Sequence, residues 1–183
     1  ESPARLGALL GGRVCAVLLG GPSVKRNAAR TQHSRAVCQA EDTGAMTVNY
    51  QSSAVPSEKD LIELYHSVGW TEYTKEPLLL AEAVGASLFV VTAYDRGKLV
   101  GLARVVGDGL TIAYLQDILV SPNHQRQGVG RELFQRVFEP FQEVRQKVLM
   151  TDNDAAQIAF YESIGFTEAR NLSEPINVYV KFG

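Results

Sequence analysis

Residues Asp117 to Arg131 read DILVSPNHQRQGVGR. The apolar residues up to Val120 are typical of a buried β-strand, which Ser121-Pro122 would end. After a short loop, Gly128 and Gly130 open a segment with helical periodicity. A strand, a tight loop and a helix in this order aim consecutive backbone N–H groups at one point, in front of the positive end of the helix dipole. That arrangement is a general site for anions.

The loop also carries groups that suit a pyrophosphate. Gly128 and Gly130 let the backbone approach a ligand without a Cβ in the way. Gln125, Arg126 and Arg131 can add side-chain donors, and arginine binds phosphate with particular strength. The loop is neither a G-x-x-x-x-G-K-S/T sequence nor a G-x-G-x-x-G directly after a strand. The pattern therefore disfavours a nucleotide hydrolase of the usual kind and a Rossmann dinucleotide site.

Around this stretch, helical and strand periodicities alternate between turn residues. Ser57, followed by Asp60, resembles a capping box at the start of a helix that ends near Gly69. The predicted order is helix, helix, three strands, helix, strand, helix and strand. The segments after the first helix are Pro77–Val84, Leu88–Tyr94, Leu99–Val106, Leu110–Val120, Gly128–Phe141, Lys147–Thr151, Ala155–Ile164 and Ile176–Phe182. This order indicates an α/β protein (α+β mixed) with helices on both faces of a mixed sheet.

Residues 1–45 form a leader that we expect not to belong to the fold, and residues 46–183 form one domain. The first methionine is Met46, and no acidic residue lies between Ser2 and Ala40. A basic leader without acids resembles an organellar transit peptide. The alternative is upstream or added sequence. The first interpretation predicts a plastid or another organelle as the location, and the second predicts the cytoplasm.

The charge and composition of the predicted domain argue against several classes of protein. The chain has 18 Lys and Arg and 20 Asp and Glu, of which residues 46–183 hold 12 and 17. Such an acidic domain disfavours a nucleic-acid partner, since phosphate contacts need clustered basic residues. No run approaches the roughly 18 apolar residues of a membrane helix, so we expect no membrane partner. Both cysteines lie in the leader, and His33, His66 and His124 lack metal-binding spacing, so we expect no metal.

Two motifs resemble landmarks of the GNAT superfamily of N-acetyltransferases. Gln125–Gly130 (QRQGVG) resembles the Q/R-x-x-G-x-G/A loop that binds the pyrophosphate of acetyl-CoA, and the preceding ILVSP resembles that family's V-x-P strand end. Ala159–Phe166 (AFYESIGF) resembles its F-Y-x-x-x-G-F motif. Val68–Thr74 (VGWTEYT) is similar to a subgroup of small bacterial acetyltransferases and plastid serotonin-type acetyltransferases. The resemblance covers residues 46–182 and implies a mostly antiparallel mixed sheet of about six strands flanked by about four helices.

The resemblance implies that acetyl-CoA is the co-substrate and that no metal takes part. It places the acetyl-CoA contacts at the strand end, in the loop and on the later helix. The residues concerned are Ile118, Leu119, Val120, Gln125, Arg126, Gln127, Gly128, Val129, Gly130, Arg131, Asn153 and Phe160. The backbone N–H groups of Leu119 and Val120 would hold the pantetheine and polarise the acetyl carbonyl. One departure lies on the later helix, where Asp154 and Gln157 replace the family's frequent Asn and Ala, with Asn153 one position away.

The family reaction, direct attack of an amine on the acetyl thioester, needs an acid and a base. Tyr161 is the candidate general acid for the departing thiolate, although an aromatic residue beside Phe160 can equally belong to a core. Asp117 can accept the amine proton, directly or through water, or it can pair with an arginine or face solvent. Each residue therefore has a catalytic and a purely structural interpretation.

The acceptor side has fewer candidates. Trp70, Glu72 and Tyr73 can line the site of an arylalkyl or cationic amine, while Trp70 can also be core. His66 and His124 are interpreted as surface residues. The predicted function is acetyl transfer to a primary amine of a small molecule. Acetylation of a protein N-terminus or lysine and a non-catalytic CoA-binding module are the alternatives, and a homodimer is compatible with each.

Overall fold

The computed structural model describes residues 47–181, so the predicted leader, Met46, Phe182 and Gly183 lie outside the described residues. The strands are β1 (Val48–Ser52), β2 (Phe89–Asp95), β3 (Lys98–Gly107), β4 (Ile112–Val120) and β5 (Gln146–Leu149). The helices are α1 (Glu58–Ser67), α2 (Pro77–Gly85), α3 (Val129–Phe138) and α4 (Ala155–Ser163). Short 3-10 turns occupy Pro122–His124, Glu139–Phe141 and Ala169–Asn171.

The five strands form one sheet in the order β1-β2-β3-β4-β5. β1 pairs with β2, β2 with β3, and β3 with β4, and each of these three pairs is antiparallel. β5 pairs parallel with β4, and α3 supplies the crossover that a parallel pair requires. The predicted mostly antiparallel mixed sheet with four helices is confirmed, with five strands in residues 47–181 where about six were expected.

Two differences in strand content separate the structure from the sequence prediction. The sequence does not indicate β1, because VNYQS contains just two apolar side chains, Val48 and Tyr50. The predicted last strand is not formed within residues 176–181, which pair with no other strand of the described chain. Its alternating apolar residues are exposed, and Val178 is 61% exposed. Alternation gives a segment one apolar face, but a strand also needs a neighbouring edge to pair with.

Polar side chains fix the starts of α1 and α4. The Ser57 hydroxyl accepts the N–H of Asp60 at 3.2 Å and donates to the Asp60 carboxylate at 2.7 Å. Ser57 is therefore the N-cap of α1 as predicted, while the Asp60 carboxylate bonds to the Ser57 hydroxyl, where a capping box would use the Ser57 N–H. The Asp154 carboxylate accepts the N–H groups of Ala156 and Gln157 at 3.0 and 3.1 Å. The residue that departs from the family pattern therefore serves as the N-cap of α4.

Each face of the sheet carries its own apolar core. The core on the α3 and α4 side includes Val91, Ala103, Leu115, Ile118, Val120, Leu133, Val137, Phe160 and Tyr161. The core on the α1 and α2 side includes Leu61, Leu64, Tyr65, Trp70, Leu80, Val84, Leu102 and Leu119. β4 contributes to both cores and is covered on both faces. Among residues 47–181, the helices lack the length and continuous apolar character of a membrane-spanning segment.

The turn from β3 to β4 sets the position of β4. The Asp108 carboxylate accepts the N–H groups of Leu110, Thr111 and Ile112 at 2.8 to 3.0 Å. These backbone donors hold the pKa of Asp108 well below its usual value. The preceding Gly107 has φ 137°, and a Cβ there would overlap the carbonyl oxygen of Ile112. The turn accepts only glycine at this position without displacing β4.

We therefore expect Gly107→Ala to destabilise the fold by at least about 2 kcal/mol, because both the positive φ and the overlap oppose a side chain. Gly85→Ala is the matched control, since a Cβ at Gly85 meets no atom within 4 Å. Its free energy of unfolding should change by less than about 1 kcal/mol. Urea denaturation of both variants measures the difference, and equal losses would contradict this account of the turn.

Candidate active site

A β-bulge in β4 determines where Asp117 points. Arg104 of β3 lies opposite Asp117, but the next residue, Val105, lies opposite Leu115, so Gln116 is an extra residue in β4. An extra residue reverses the alternation of side chains along a strand. Leu115 therefore faces the α3 side, while Asp117, two positions later, faces α1. Without the bulge, the carboxylate would point into the apolar core under α3.

Asp117 lies at the centre of a fully buried polar network. Tyr65 of α1 donates its hydroxyl to Asp117 Oδ2 at 2.7 Å, and Arg104 donates its Nε–H to the same oxygen. Tyr65 and Asp117 are 0% exposed. Burial, followed by the charge of Asp117, raises the pKa of Tyr65 well above its usual value, so the phenol remains a donor. Asp117 Oδ1 is buried and has no hydrogen-bond partner within the described chain.

Arg104 connects this carboxylate to the end of α2. Its Nη1 donates to the carbonyl oxygen of Ala83 at 3.2 Å and to the hydroxyl of Ser87 at 3.3 Å. Burial disfavours its charge, but Asp117 offsets this and the pKa of Arg104 is raised. The pairing with an arginine, one of the structural alternatives for Asp117, is therefore present. Arg104 was not a predicted site residue. Its only signal in the sequence is a lone charge in the apolar strand LVGLARVVG.

Three aromatic rings pack beside the carboxylate. The ring centroids of Tyr65, Trp70 and Tyr73 lie 5.6 to 5.8 Å apart, and Trp70 stacks on Tyr73. Trp70 is 1% exposed, so it occupies the core position that was the alternative to acceptor binding. Glu72 points outward with a side chain 44% exposed and pairs with Lys75 at 2.6 Å. Of the three predicted acceptor residues, Tyr73 is the one that is half-buried, and it forms the rim of this group of three rings.

The start of α3 differs from the capped starts of α1 and α4. Its N-cap is Gly128, in the left-handed conformation with φ 85°, and no side chain caps the helix. The first helical hydrogen bond of α3 runs from Glu132 N–H to the Gly128 carbonyl at 3.0 Å. The N–H groups of residues 129–131 precede it and have no partner inside the helix. A Cβ at Gly128 would meet no atom within 4 Å, and uncapped N–H groups at a helix start are a general site for anions.

The side chains of the loop divide into two groups. The Gln125 amide donates to the Val120 carbonyl at 2.9 Å, and the Gln127 amide donates to the Asn123 carbonyl at 2.8 Å. Both amides are therefore used within the loop. Gln125 was predicted to donate to a phosphate, but its amide donates to the Val120 carbonyl. Arg131 reaches the Ser163 hydroxyl of α4 at 3.0 Å. Arg126 is exposed and adopts φ 59°.

The end of β4 presents backbone groups to an open edge. The Ser121 N–H donates to the Val100 carbonyl of β3 at 2.8 Å, so alternation directs the N–H of Leu119 to β3 and those of Ile118 and Val120 to the opposite side. On that side, pairing with β5 reaches no further than Leu115. Of the two predicted oxyanion donors, Val120 has the required direction. Leu119 belongs to the β3 ladder instead.

Tyr161 of α4 lies in the core on the α3 and α4 side of the sheet. Tyr161 is 4% exposed and shares a core cluster with Ile118 and Val120. Its ring lies 5.1 Å from that of Phe160, centroid to centroid. Asn153 is exposed before the start of α4, and Gln157 is buried and accepts a hydrogen bond from Thr151. Both Tyr161 and Phe160 are therefore buried residues of the cluster to which Ile118 and Val120 of β4 also belong.

His124 has a role that the sequence prediction missed. It was interpreted as a surface residue, but its side chain is only 14% exposed. The ring contacts Ser121 on one side and Asp95 of β2 on the other. Asp95 and His124 are 29 positions apart in the sequence, and this separation matches no local motif that would predict the contact. Elsewhere in residues 47–181, no three His, Cys, Asp or Glu side chains cluster as a metal site would require.

Comparison with known proteins assigns these features to a family. The acetyltransferase (GNAT) domain matches residues 86–168, from the end of α2 to the end of the F-Y-x-x-x-G-F motif. The chain is 30% identical over 124 residues to the ribosomal protein bS18-alanine N-acetyltransferase of Escherichia coli strain K12, an alignment that covers 65% of this chain and 78% of that relative. The chain belongs to the GNAT acetyltransferase family. It is therefore an acyltransferase, and the resemblance of its two motifs is confirmed.

Two further relatives agree with this assignment. A solved GNAT family acetyltransferase from Streptococcus pneumoniae TIGR4 is 30% identical, with a TM-score of 0.65, and the match covers 74% of this chain and 98% of that one. An uncharacterised ycf52-like N-acetyltransferase of Prochlorococcus marinus is 31% identical over 116 residues. That match covers 59% of this chain and 63% of the relative, so the chain spans less than two thirds of its length.

The buried network of this GNAT protein predicts a large cost for removing its arginine. Arg104→Met leaves the Asp117 charge buried without its cationic partner, and we expect a loss of about 3–5 kcal/mol in the free energy of unfolding. Lys75→Met, which breaks the exposed pair with Glu72, should cost less than about 1 kcal/mol. Chemical denaturation at neutral pH compares the two. Similar small losses would show that the Asp117 charge does not depend on Arg104.

The loop of this GNAT protein predicts a specific effect of Gly128→Ala. A left-handed non-glycine residue costs about 1–2 kcal/mol of stability, and any shift of the loop displaces the open N–H groups. We expect KM for acetyl-CoA to rise roughly tenfold, which corresponds to about 1.4 kcal/mol. Gly165→Ala is the matched control, because Gly165 has φ 95° and equally open space. An equal rise in KM for both variants would mean that strain alone is responsible.

Proposed function

We propose that this protein transfers the acetyl group of acetyl-CoA to a primary amine of a small molecule by direct attack. The proposal rests on one observation: backbone N–H groups are available at both ends of the same loop. The uncapped N–H groups of residues 129–131 lie at one end of the loop, and the outward N–H of Val120 lies at the other. The first group suits a pyrophosphate and the second a carbonyl oxygen, and acetyl-CoA carries both, the pyrophosphate within the molecule and the carbonyl at its acetyl end.

Tyr161 is proposed as the general acid. During the reaction the amine nitrogen bonds to the carbonyl carbon, the carbon–sulfur bond breaks, and the departing sulfur takes up a proton. Tyr161 is placed in the same cluster as Ile118 and Val120, on the α3 and α4 side of β4. A buried phenol is a suitable proton donor to a thiolate that forms in an apolar site.

Asp117 is proposed as the group that accepts the amine proton. Tyr65 and Arg104 both donate to Oδ2, whereas Oδ1 is buried without a donor. A buried carboxylate oxygen without a hydrogen bond is unfavourable, so it favours a water molecule or an N–H group of the acceptor. Because Asp117 is fully buried, a water that relays the proton fits better than direct contact.

The choice of a small acceptor follows from the α1–α2 connection. This connection is short, residues 68–76, and within it Trp70 packs inward against Tyr65. Tyr73 at the rim and the exposed carboxylate of Glu72 are compatible with an aromatic or cationic amine. A small amine can use such a narrow, partly aromatic surface.

A second candidate is the N-terminal amine of a protein. The relative from Escherichia coli is named for acetylating an alanine of ribosomal protein bS18. The donor loop, Tyr161 and Asp117 would act in the same way on such an acceptor. Only the acceptor surface distinguishes the two candidates.

The experiment supplies acetyl-CoA with arylalkylamines, polyamines, aminoglycosides and a peptide that begins with alanine, and follows release of free thiol. We expect release that depends on a small amine. Tyr161→Phe should lower kcat roughly 100-fold, as the loss of a general acid does. Asp117→Asn should lower it by a similar factor. Tyr179→Phe is the matched control and should have no effect, since Tyr179 is 88% exposed.

The outcomes separate the candidates. Preference for the alanine peptide would favour the protein acceptor. Binding of acetyl-CoA without thiol release from any acceptor would favour the non-catalytic module. Full activity of Tyr161→Phe would remove Tyr161 from the mechanism and leave it as a core residue.

A further inference from the structure

The loop that begins after β4 is joined to the β2–β3 hairpin through one imidazole ring. His124 Nε2 lies 3.0 Å from Asp95 Oδ2, and His124 Nδ1 lies 2.9 Å from Ser121 Oγ. With its proton on Nε2, the ring donates to the carboxylate and accepts the serine hydroxyl, so both nitrogens are satisfied. Asp95, like His124, is largely buried, with a side chain 16% exposed. The contact is therefore shielded from competing water.

Sheet register explains why these residues meet. Asp95 ends β2 and lies opposite Lys98 at the start of β3. Ser121 follows β4 and its N–H bonds to Val100, two residues after Lys98. The end of β2 and the start of the loop therefore lie at the same end of the sheet, on either side of β3. The contact attaches the loop to the paired end of β2.

The conformation of the loop requires such an attachment. Arg126 and Gly128 have φ of 59° and 85°, so two of three consecutive residues are left-handed. A left-handed non-glycine residue persists only where its surroundings hold it. The bonds from Gln125 and Gln127 reach five and four positions back along the same segment. They fix the shape of the loop, but they do not tie it to another strand.

We propose that His124 is a positioning residue, which together with Asp95 holds the loop so that the N–H groups of residues 129–131 face the pyrophosphate of acetyl-CoA. This inference rests on the proposed acetyl-CoA site. His124 itself acts through the backbone and need not touch the ligand. Its loss should weaken the binding of acetyl-CoA while leaving the chemistry at Tyr161 and Asp117 intact.

The test is a double-mutant cycle on the full chain, with acetyl-CoA affinity measured by calorimetry and kcat and KM from thiol release. We expect His124→Ala to weaken binding roughly tenfold, as the loss of a hydrogen bond to a charged group does. Asp95→Ala should weaken it by a similar factor, and the double variant by no more than either alone. kcat at saturating acetyl-CoA should stay within about twofold of the wild type.

Two further variants make the result specific. His124→Gln keeps an N–H donor for Asp95 and should recover most of the affinity. His66→Ala removes the other described histidine, which lies 2.9 Å from the Thr74 hydroxyl, and should leave the affinity unchanged. If His124→Ala fails to fold, His124→Gln and Asp95→Ala still decide the question.

The possible failures are distinguishable. Absence of acetyl-CoA binding to the wild type would overturn the proposed function. Normal wild-type binding with additive losses in the double variant, or with unchanged affinity in His124→Ala, would overturn only the role of His124. A fall in kcat with unchanged KM would also overturn it, because the effect would then lie in the chemical step.

Discussion

β4 is paired with β3 from Ala113 to Val120 but with β5 only as far as Leu115. This unequal pairing is the constraint on which the proposed site depends. Backbone N–H groups beyond Leu115 that point away from β3 are directed to an edge where no strand of the described chain pairs. The loop that follows carries the uncapped start of α3. The donor site is thus built from backbone, and its geometry depends on strand length and register more than on side chains.

The same strand separates the two residues proposed for proton transfer, Asp117 and Tyr161. The bulge at Gln116 directs Asp117 to the α1 side, where Tyr65 and Arg104 hold one of its oxygens. Tyr161 belongs to the core on the other side of the sheet. The proposed base and the proposed acid therefore lie on opposite faces of the sheet.

Local sequence was sufficient to predict the loop. The residue before α3 is left-handed with φ 85°, a conformation that favours glycine, and Gly128 is visible directly in the sequence. The four helices were predicted for the same reason, since caps and periodicity are local. The partners of Asp117 could not be predicted, because the contact with Arg104 depends on strand register and on the bulge at Gln116. The contact between His124 and Asp95 depends on register in the same way. The missing last strand shows the reverse case, a correct local pattern without a partner edge.

We propose that backbone N–H groups at the start of α3 and the end of β4 bind the acetyl donor. The most direct test follows the backbone amide resonances of the protein by ¹H–¹⁵N NMR during addition of acetyl-CoA. The account predicts the largest shift changes at Val120 and at Val129, Gly130 and Arg131, with little change in β1. Saturable binding that leaves these amides unchanged and shifts those of α1 and α2 instead would contradict it.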